Sequence, residues 1–371
     1  MLYFAQGSAL LTEKEFAKND ATIEGFYSAL ANDQTPDGIV FPSGNLSVEN
    51  VLNNGLTGEP EPVPFSPIGP GKPLTIMITE VYTGKNPHGF LVHKKDMLVT
   101  SAVKSITSYD ARPRAINFLK ENVPPKRHFY RPGATESGVP VIFYSPALIE
   151  NALTLDLSIV FDQFPKEAFT KVGDALNTAA SIPMFITANI YLLAAGAISK
   201  LVGQAGESLF DGKPCFSVSE PLNIHWPGTK PRQIGFALLT DGTADANFRK
   251  TYQVNSLGEV VDKDGNKYDG DIPYIVISID GTEQPELADF TPTAASSAIL
   301  SRFYGVKDGQ SQPIDQLIEA MKVYNDLRYR QDIDRLDKTI AATTNPEKLA
   351  ELKGKREALT KNIITDIMKL S

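Results

Sequence analysis

The sequence has a single cysteine, Cys215, in 371 residues. That excludes an internal disulfide and any cysteine-rich zinc site. There is one tryptophan, and the four histidines are His88, His93, His128 and His225. The motifs that announce common chemistries are missing. There is no Gly-x-Gly-x-x-Gly, no Gly-x-Ser-x-Gly and no His-Glu-x-x-His. Gly69-Pro70-Gly71-Lys72 fails as a phosphate loop, because Pro73 follows and position 66 is serine. No basic residue precedes Lys14, so the N-terminus lacks the charged start of a cleaved secretory signal. The expected setting is cytoplasmic, or exported without such a signal.

What is present is average in bulk and uneven in detail. Apolar residues make up 42% and charged residues 22%, with a net charge of -8, which excludes a disordered, collagen-like or supercharged chain. At roughly 150 residues per domain, two to three domains are expected. The charge is blocked. Residues 1–80 hold ten acidic and three basic side chains, whereas 94–131 hold nine basic and three acidic ones. Lys94, Lys95, Arg112, Arg114, Lys126, Arg127 and Arg131 in this second block are anion-binding candidates, interleaved at its end with His128, Phe129 and Tyr130. Docking on the acidic N-terminus, or a solvated face, is the simpler reading of this block, and an anionic membrane surface or protein is the partner it would otherwise match. Nucleic acid is disfavoured by the acidic whole and the absence of a recognised motif.

Patterning divides the chain into four parts. Residues 1–57 read as a helical segment: Thr12 and Glu15 have capping-box spacing, and Phe16, Ile23, Tyr27 and Leu30 recur on one face. Residues 58–73 contain six prolines, which suits a stiff linker. Residues 74–308 carry short strand patterns at 74–82, 97–106, 139–144, 153–162, 215–220, 222–226, 234–240, 252–254, 259–262 and 273–280, with Asp264-Gly265 as a hairpin turn. In the clearest, Leu153, Leu155, Leu157, Ile159 and Phe161 alternate with Thr154, Asp156, Ser158, Val160 and Asp162. The fold class expected is α+β: a central antiparallel β-sandwich with a helical insertion at 165–206 and helical N- and C-terminal arms. The insertion holds 25 consecutive uncharged residues, 175–199, interrupted by Pro183. Two packed helices, 166–180 and 184–204, fit it better than a membrane span of ~20 apolar residues, and Phe185, Ile190, Leu192 and Leu193 are its interaction candidates.

Residues 313–371 read as an αα-hairpin restarted at Asn345-Pro346. Leu349, Leu352, Leu359, Ile363, Ile367 and Leu370 lie close to a heptad seam, with Arg356 upon it. That seam serves either packing on the chain's own body or pairing with a partner or second copy.

Candidates for chemistry are sparse. Ser101 and Lys104 have Ser-x-x-Lys spacing, but on a strand they face opposite sides. His88, His93 and Asp96 have a spacing that chance readily supplies. Asp262, Asp264, Asp269 and Asp271 crowd one loop, where calcium is the only cofactor suggested and a polar hairpin turn is the simpler reading. A β-sandwich with an acidic loop resembles lipid-binding C2 domains in arrangement alone. The leading expectation is a non-enzymatic interaction or assembly protein. A membrane- or lipid-binding protein and an enzyme with dispersed residues near Asp156, Asp162 and His225 are the alternatives.

Overall fold

A computed structural model describes residues 1–18, 65–69, 71–87, 94–105, 115–130, 140–148, 150–164, 214–224, 234–242, 246–284, 287 and 314–369. The 165–206 insertion therefore lies outside the described residues, as do 19–57. The described chain is mostly antiparallel β-sheet with few helices.

Thirteen strands are described: β1 Leu2–Gln6, β2 Ala9–Leu11, β3 Leu74–Tyr82, β4 Lys95–Ser105, β5 Ala115–Val123, β6 His128–Tyr130, β7 Val141–Ser145, β8 Ala152–Asp162, β9 Phe216–Asn223, β10 Gly235–Thr240, β11 Tyr252–Val254, β12 Val260–Asp262 and β13 Tyr274–Asp280. One sheet runs β2-β1-β10-β13-β3-β6, with β7 also on β3. A second runs β5-β4-β8-β9, and β11 and β12 pair separately. Among the described residues, one apolar cluster joins the two large sheets. Ile76, Ile277 and Leu239 come from the first, and Val99, Leu157 and Phe118 from the second. The sheet edges also meet. Asn117 of β5 donates to the Val141 carbonyl of β7, and the Met1 ammonium contacts Glu220 of β9 at 2.8 Å.

The N-terminal reading needs correction. Residues 2–6 and 9–11 are strands joined by a turn, not helix, and β1 adds to the large sheet against β10. Helix begins only after Thr12, where the capping box forms: the Thr12 amide donates to Glu15 Oε2 at 2.8 Å, and Glu15 N–H donates back to Thr12 Oγ1 at 3.4 Å. Burial raises the Glu15 pKa, but the Thr12 bonds and the Arg249 guanidinium outweigh it and hold the carboxyl below its ordinary value. The described part of the proline-rich stretch does not stand off as a linker. Ile68 is fully buried, and Ser66 N–H donates to Asp280 at 2.8 Å.

Two strand readings also change. Where two patterns, 215–220 and 222–226, were expected, residues 216–223 form one strand, β9, running through Pro221, and 225–226 lie outside the described residues. Proline is tolerated there because β9 is an edge and needs no outward N–H bond. β5 and β6, in the basic block, were not legible as strands.

A second layer covers the other face of the large sheet. Helix α1, Ala246–Thr251, and the β11–β12 pair pack Phe248, Val254, Val260 and Tyr268 on Tyr3, Leu238, Tyr274 and Val276. Residues 255–259 connect that pair, and the Asp264-Gly265 turn folds the chain after β12 back on it, with Asp262 N–H donating to the Asn266 carbonyl at 2.9 Å and Val261 bridging Lys267. Gly84 (φ +57°) packs on the chain that leads into β13, and a Cβ there would meet the Asp271 carbonyl at 2.5 Å.

Helices α2, Ile314–Ala342, and α3, Pro346–Lys361, form the C-terminal hairpin. Asn345 caps α3 by accepting from Lys348 N–H at 3.1 Å, with Pro346 at the first position. The hairpin is tied to the sheets at one buried residue. Asn362 Nδ2 donates to the carbonyls of Ala147 and Ala358, and its Oδ1 accepts from Ser145 Oγ at 3.1 Å. Replacing Asn362 by Ala leaves the buried Ala147 carbonyl and Ser145 hydroxyl unmatched. We expect a loss of about 1–3 kcal/mol in urea unfolding, with faster hydrogen exchange confined to the α3 amides.

Candidate functional site

The site begins with a bulge. In β3, Ile76 and Ile78 face the shared core, and continued alternation would send positions 80 and 82 there too. The register between β13 and β3 slips between Val276 and Ile277, leaving Thr79 as the extra residue. Thr79 Oγ1 donates to the Val276 carbonyl at 3.1 Å. One added residue reverses the parity. Val81 now faces the shared core, and Tyr82 faces the α1/β11–β12 layer.

Glu80 is carried outward by the same reversal, into a place with 0% exposure. Its Oε1 lies 2.6 Å from His128 Nδ1 and accepts from the Tyr274 hydroxyl at 3.0 Å, while Oε2 accepts from Val260 N–H at 3.2 Å. His128 leads from this carboxylate to the surface. Its ring is 4.4 Å from that of Tyr82 and lies 5.8 Å from Tyr130, nearly parallel at 8°. Tyr130 is exposed, and Lys267 Nζ sits 4.4 Å from its centroid while pairing with Glu259 at 3.0 Å.

Burial governs the ionisation of these tyrosines. It pushes the Tyr82 and Tyr274 hydroxyls up, and the charge of Glu80 adds to the rise in both. Bonds to Tyr130 and Glu259 raise the Lys267 ammonium. The Tyr274 hydroxyl is therefore a standing donor to Glu80. Chemically, the arrangement fixes a histidine by a carboxylate at Nδ1, in a wall of aromatic rings.

The sequence candidates fall elsewhere. Asp262 organises its own turn: Oδ1 accepts from the amides of Asp264 at 2.9 Å and Asn266 at 2.8 Å, and Oδ2 accepts from Asn266 Nδ2 at 3.0 Å. These bonds, led by the Asn266 side chain, hold its carboxyl below its ordinary value. Asp271 turns instead to Lys126, 3.6 Å away, and Asp264 and Asp269 are exposed. Among the described residues, no three His, Cys, Asp or Glu side chains gather as a metal site.

Of the anion candidates, Lys94, Lys126 and Arg127 are exposed and Lys95 is half-buried at the start of β4. Arg112, Arg114 and Arg131 lie outside the described residues, as do Phe185, Ile190, Leu192, Leu193 and Leu370. His88, His93 and His225 lie outside them too. On the hairpin, Leu352, Leu359 and Ile363 are buried, Leu349 is half-buried and Ile367 is 83% exposed. Leu359 and Ile363 cluster with Ile333 of α2, and Arg356 forks onto Asp337 at 2.6 and 3.3 Å. Asp326 of α2 is fully buried and accepts from the amides of Ile364 and Thr365, at 3.1 and 2.6 Å. Sequence reading missed Glu80, Asp326 and Asn362. A lone carboxylate or amide inside an apolar pattern was the only signal.

No helix among the described residues is long and apolar enough to cross a membrane. Cys215 is half-buried, with Sγ 3.4 Å from the Ile159 carbonyl, and burial pushes its thiol up to about 12.

Two outcomes follow. Glu80→Ala strands the Tyr274 hydroxyl, the Val260 amide and His128 Nδ1, and should cost about 3–5 kcal/mol in denaturant unfolding. Glu80→Gln keeps an acceptor and should cost less. A thiol raised by burial is neutral in the folded state, so its contribution to stability is intact below the unfolded value and is lost as pH climbs from the unfolded value to the folded one. Iodoacetamide at pH 8 should therefore label native Cys215 at least tenfold more slowly than the urea-unfolded chain. No protein-family model matches the chain, and no curated protein is significantly similar to it.

Proposed function

We propose that this chain is a non-enzymatic interaction protein that assembles through its C-terminal hairpin. The body is read as a two-layer β-sandwich, C2-like in arrangement alone, with the hairpin as an arm docked on it. The supporting observation is an exposed apolar set at one end of that arm. At 1.5 Å per residue, α2 with 29 residues is about 43 Å long and α3 with 16 about 24 Å. α2 therefore outruns its partner helix. Val323 and Leu327, one turn apart, are 37% and 41% exposed where it does so. Asp326 lies between them and holds the chain that follows α3, on which Ile367 is exposed. Leu359 and Ile363 are used internally, so the partner-facing set is narrower than the full heptad seam.

The setting we infer is cytoplasmic, where a lone, protonated Cys215 thiol is at home. The basic residues Lys94, Lys126 and Arg127 would tune such assembly through an anionic protein partner. The assembly role predicts a solution mass by light scattering that is a multiple of 40.4 kDa. Val323→Asp with Leu327→Asp should return it to a single chain whose unfolding midpoint no longer depends on protein concentration. A wild-type chain that stays monomeric at every concentration would remove this reading.

A further inference from the structure

Tyr82, Tyr268 and Tyr274 are buried in the aromatic layer around Glu80, and their hydroxyls are engaged differently. Tyr82 donates to the Gly270 carbonyl at 2.8 Å, and Tyr268 accepts from Ile272 N–H at 3.1 Å. Neither contact offers a base. Tyr274 donates to Glu80 Oε1 at 3.0 Å, and a carboxylate is one. The same oxygen lies 2.6 Å from His128 Nδ1, and Oε2 accepts from Val260 N–H at 3.2 Å. These two contacts hold the carboxyl group in place whether or not it takes the Tyr274 proton.

Such a pairing suits one chemistry, the loss of an electron from a phenol. Loss of the electron alone would leave a buried radical cation, and loss of the proton alone a buried phenolate. An apolar layer opposes both. Burial holds the Tyr274 hydroxyl protonated well above the ordinary tyrosine range, so a phenolate does not form first. Coupled loss avoids both charges. The ring gives up one electron, the O–H bond breaks, and the proton crosses the existing hydrogen bond to Glu80. The products are a neutral tyrosyl radical and a neutral glutamic acid.

Aromatic rings connect this pair to the surface. Tyr82 stacks on Tyr274 with centroids 5.0 Å apart and planes at 27°. His128 lies 4.4 Å from Tyr82, and the exposed Tyr130 lies 5.8 Å from His128. An electron vacancy made on Tyr130 has a path inward through His128 and Tyr82. It comes to rest at Tyr274, where the adjacent base stabilises it. There, burial keeps the radical from meeting a second one.

We propose that Tyr274 and Glu80 form a redox-active pair that takes up oxidising equivalents delivered at Tyr130 by a one-electron oxidant. The oxidant gains one electron, Tyr274 loses it, and the Tyr274 hydroxyl proton moves to Glu80 Oε1. This activity lies in the sheet and its covering layer and is independent of the hairpin reading.

Flash photolysis of the full chain with ruthenium(II) tris-bipyridine and a cobalt(III) quencher tests it, because the flash generates ruthenium(III) as the oxidant. Electron paramagnetic resonance of samples frozen after the flash should show a neutral tyrosyl radical that outlives the one formed from N-acetyl-tyrosinamide. Tyr274→Phe keeps the stacked ring and should lose the long-lived signal. Glu80→Gln keeps an acceptor for the Tyr274 hydroxyl but not a base, and should lose the signal as well. Tyr130→Phe should lower the yield without shortening the lifetime. Should Glu80→Gln fail to fold, the wild-type radical carries the same information. In deuterium oxide, electron–nuclear double resonance should find an exchangeable deuteron hydrogen-bonded to the phenoxyl oxygen, the one passed to Glu80. The proposal is overturned by a wild-type chain without a long-lived radical, or by a radical that persists unchanged in Tyr274→Phe or Glu80→Gln. An unchanged yield in Tyr130→Phe, or a phenoxyl oxygen with no exchangeable deuteron, overturns it equally.

Discussion

A carboxylate with no solvent exposure must be matched by donors, and the matching of Glu80 ties four strands together. Glu80 belongs to β3, His128 to β6, Tyr274 to β13 and Val260 to β12. Three of those strands lie in the large sheet and the fourth in the covering pair. The apolar contacts of the covering layer supply attraction without direction. The Glu80 bonds supply direction, because only one placement of β12 brings the Val260 amide to Oε2. The aromatic rings around them follow the same logic. Tyr82 stacks on Tyr274 at 5.0 Å, meets Tyr268 edge-on at 5.3 Å and donates its hydroxyl to the Gly270 carbonyl at 2.8 Å. Each ring is thus held at a polar tip as well as a face.

The hairpin is built on a parallel principle. Among the described residues, the apolar cluster between its helices is small: Ile333, Leu359 and Ile363, with Tyr329, Leu336 and Met368 beside them. Two buried polar side chains set the geometry. Asp326 gathers the amides that follow α3, and Asn362 joins the end of that helix to the strand end at Ser145 and Ala147. Buried polar groups of this kind add little net stability but make misplacement costly. The hairpin's position on the body is accordingly specified by a handful of bonds, and its exposed apolar residues sit just beyond them.

How far the sequence could be read depended on whether local rules were obeyed. Leu153 to Phe161 alternate without interruption, and β8 was legible residue by residue. Thr12 with Glu15, Asn345 with Pro346, and Asp264 with Gly265 are local devices, and each forms as read. β1 and β2 are short apolar strands that depend on β10, more than two hundred residues away, so nothing local marks them. β5 was hidden by Lys120, Glu121 and Asn122, and Asn122 adopts a positive φ of 55°. Glu80 was hidden by the bulge, since parity counted from Ile76 sends it to the wrong face. The outer face of β8, where Asp156 and Ser158 are buried, illustrates the remaining limit: period-2 patterning identifies two faces but not what surrounds the second.

The central claim is that the Glu80 carboxylate fixes the covering β11–β12 pair to the large sheet as one cooperative unit. Native-state hydrogen exchange of the Val260 amide tests it most directly, because that N–H is the bond in question. The account predicts that Val260 exchanges only through global unfolding, with the same free energy and denaturant dependence as the Ile277 amide in β13. Exchange of Val260 through a local opening well below the global free energy, while Ile277 stays protected, would contradict it.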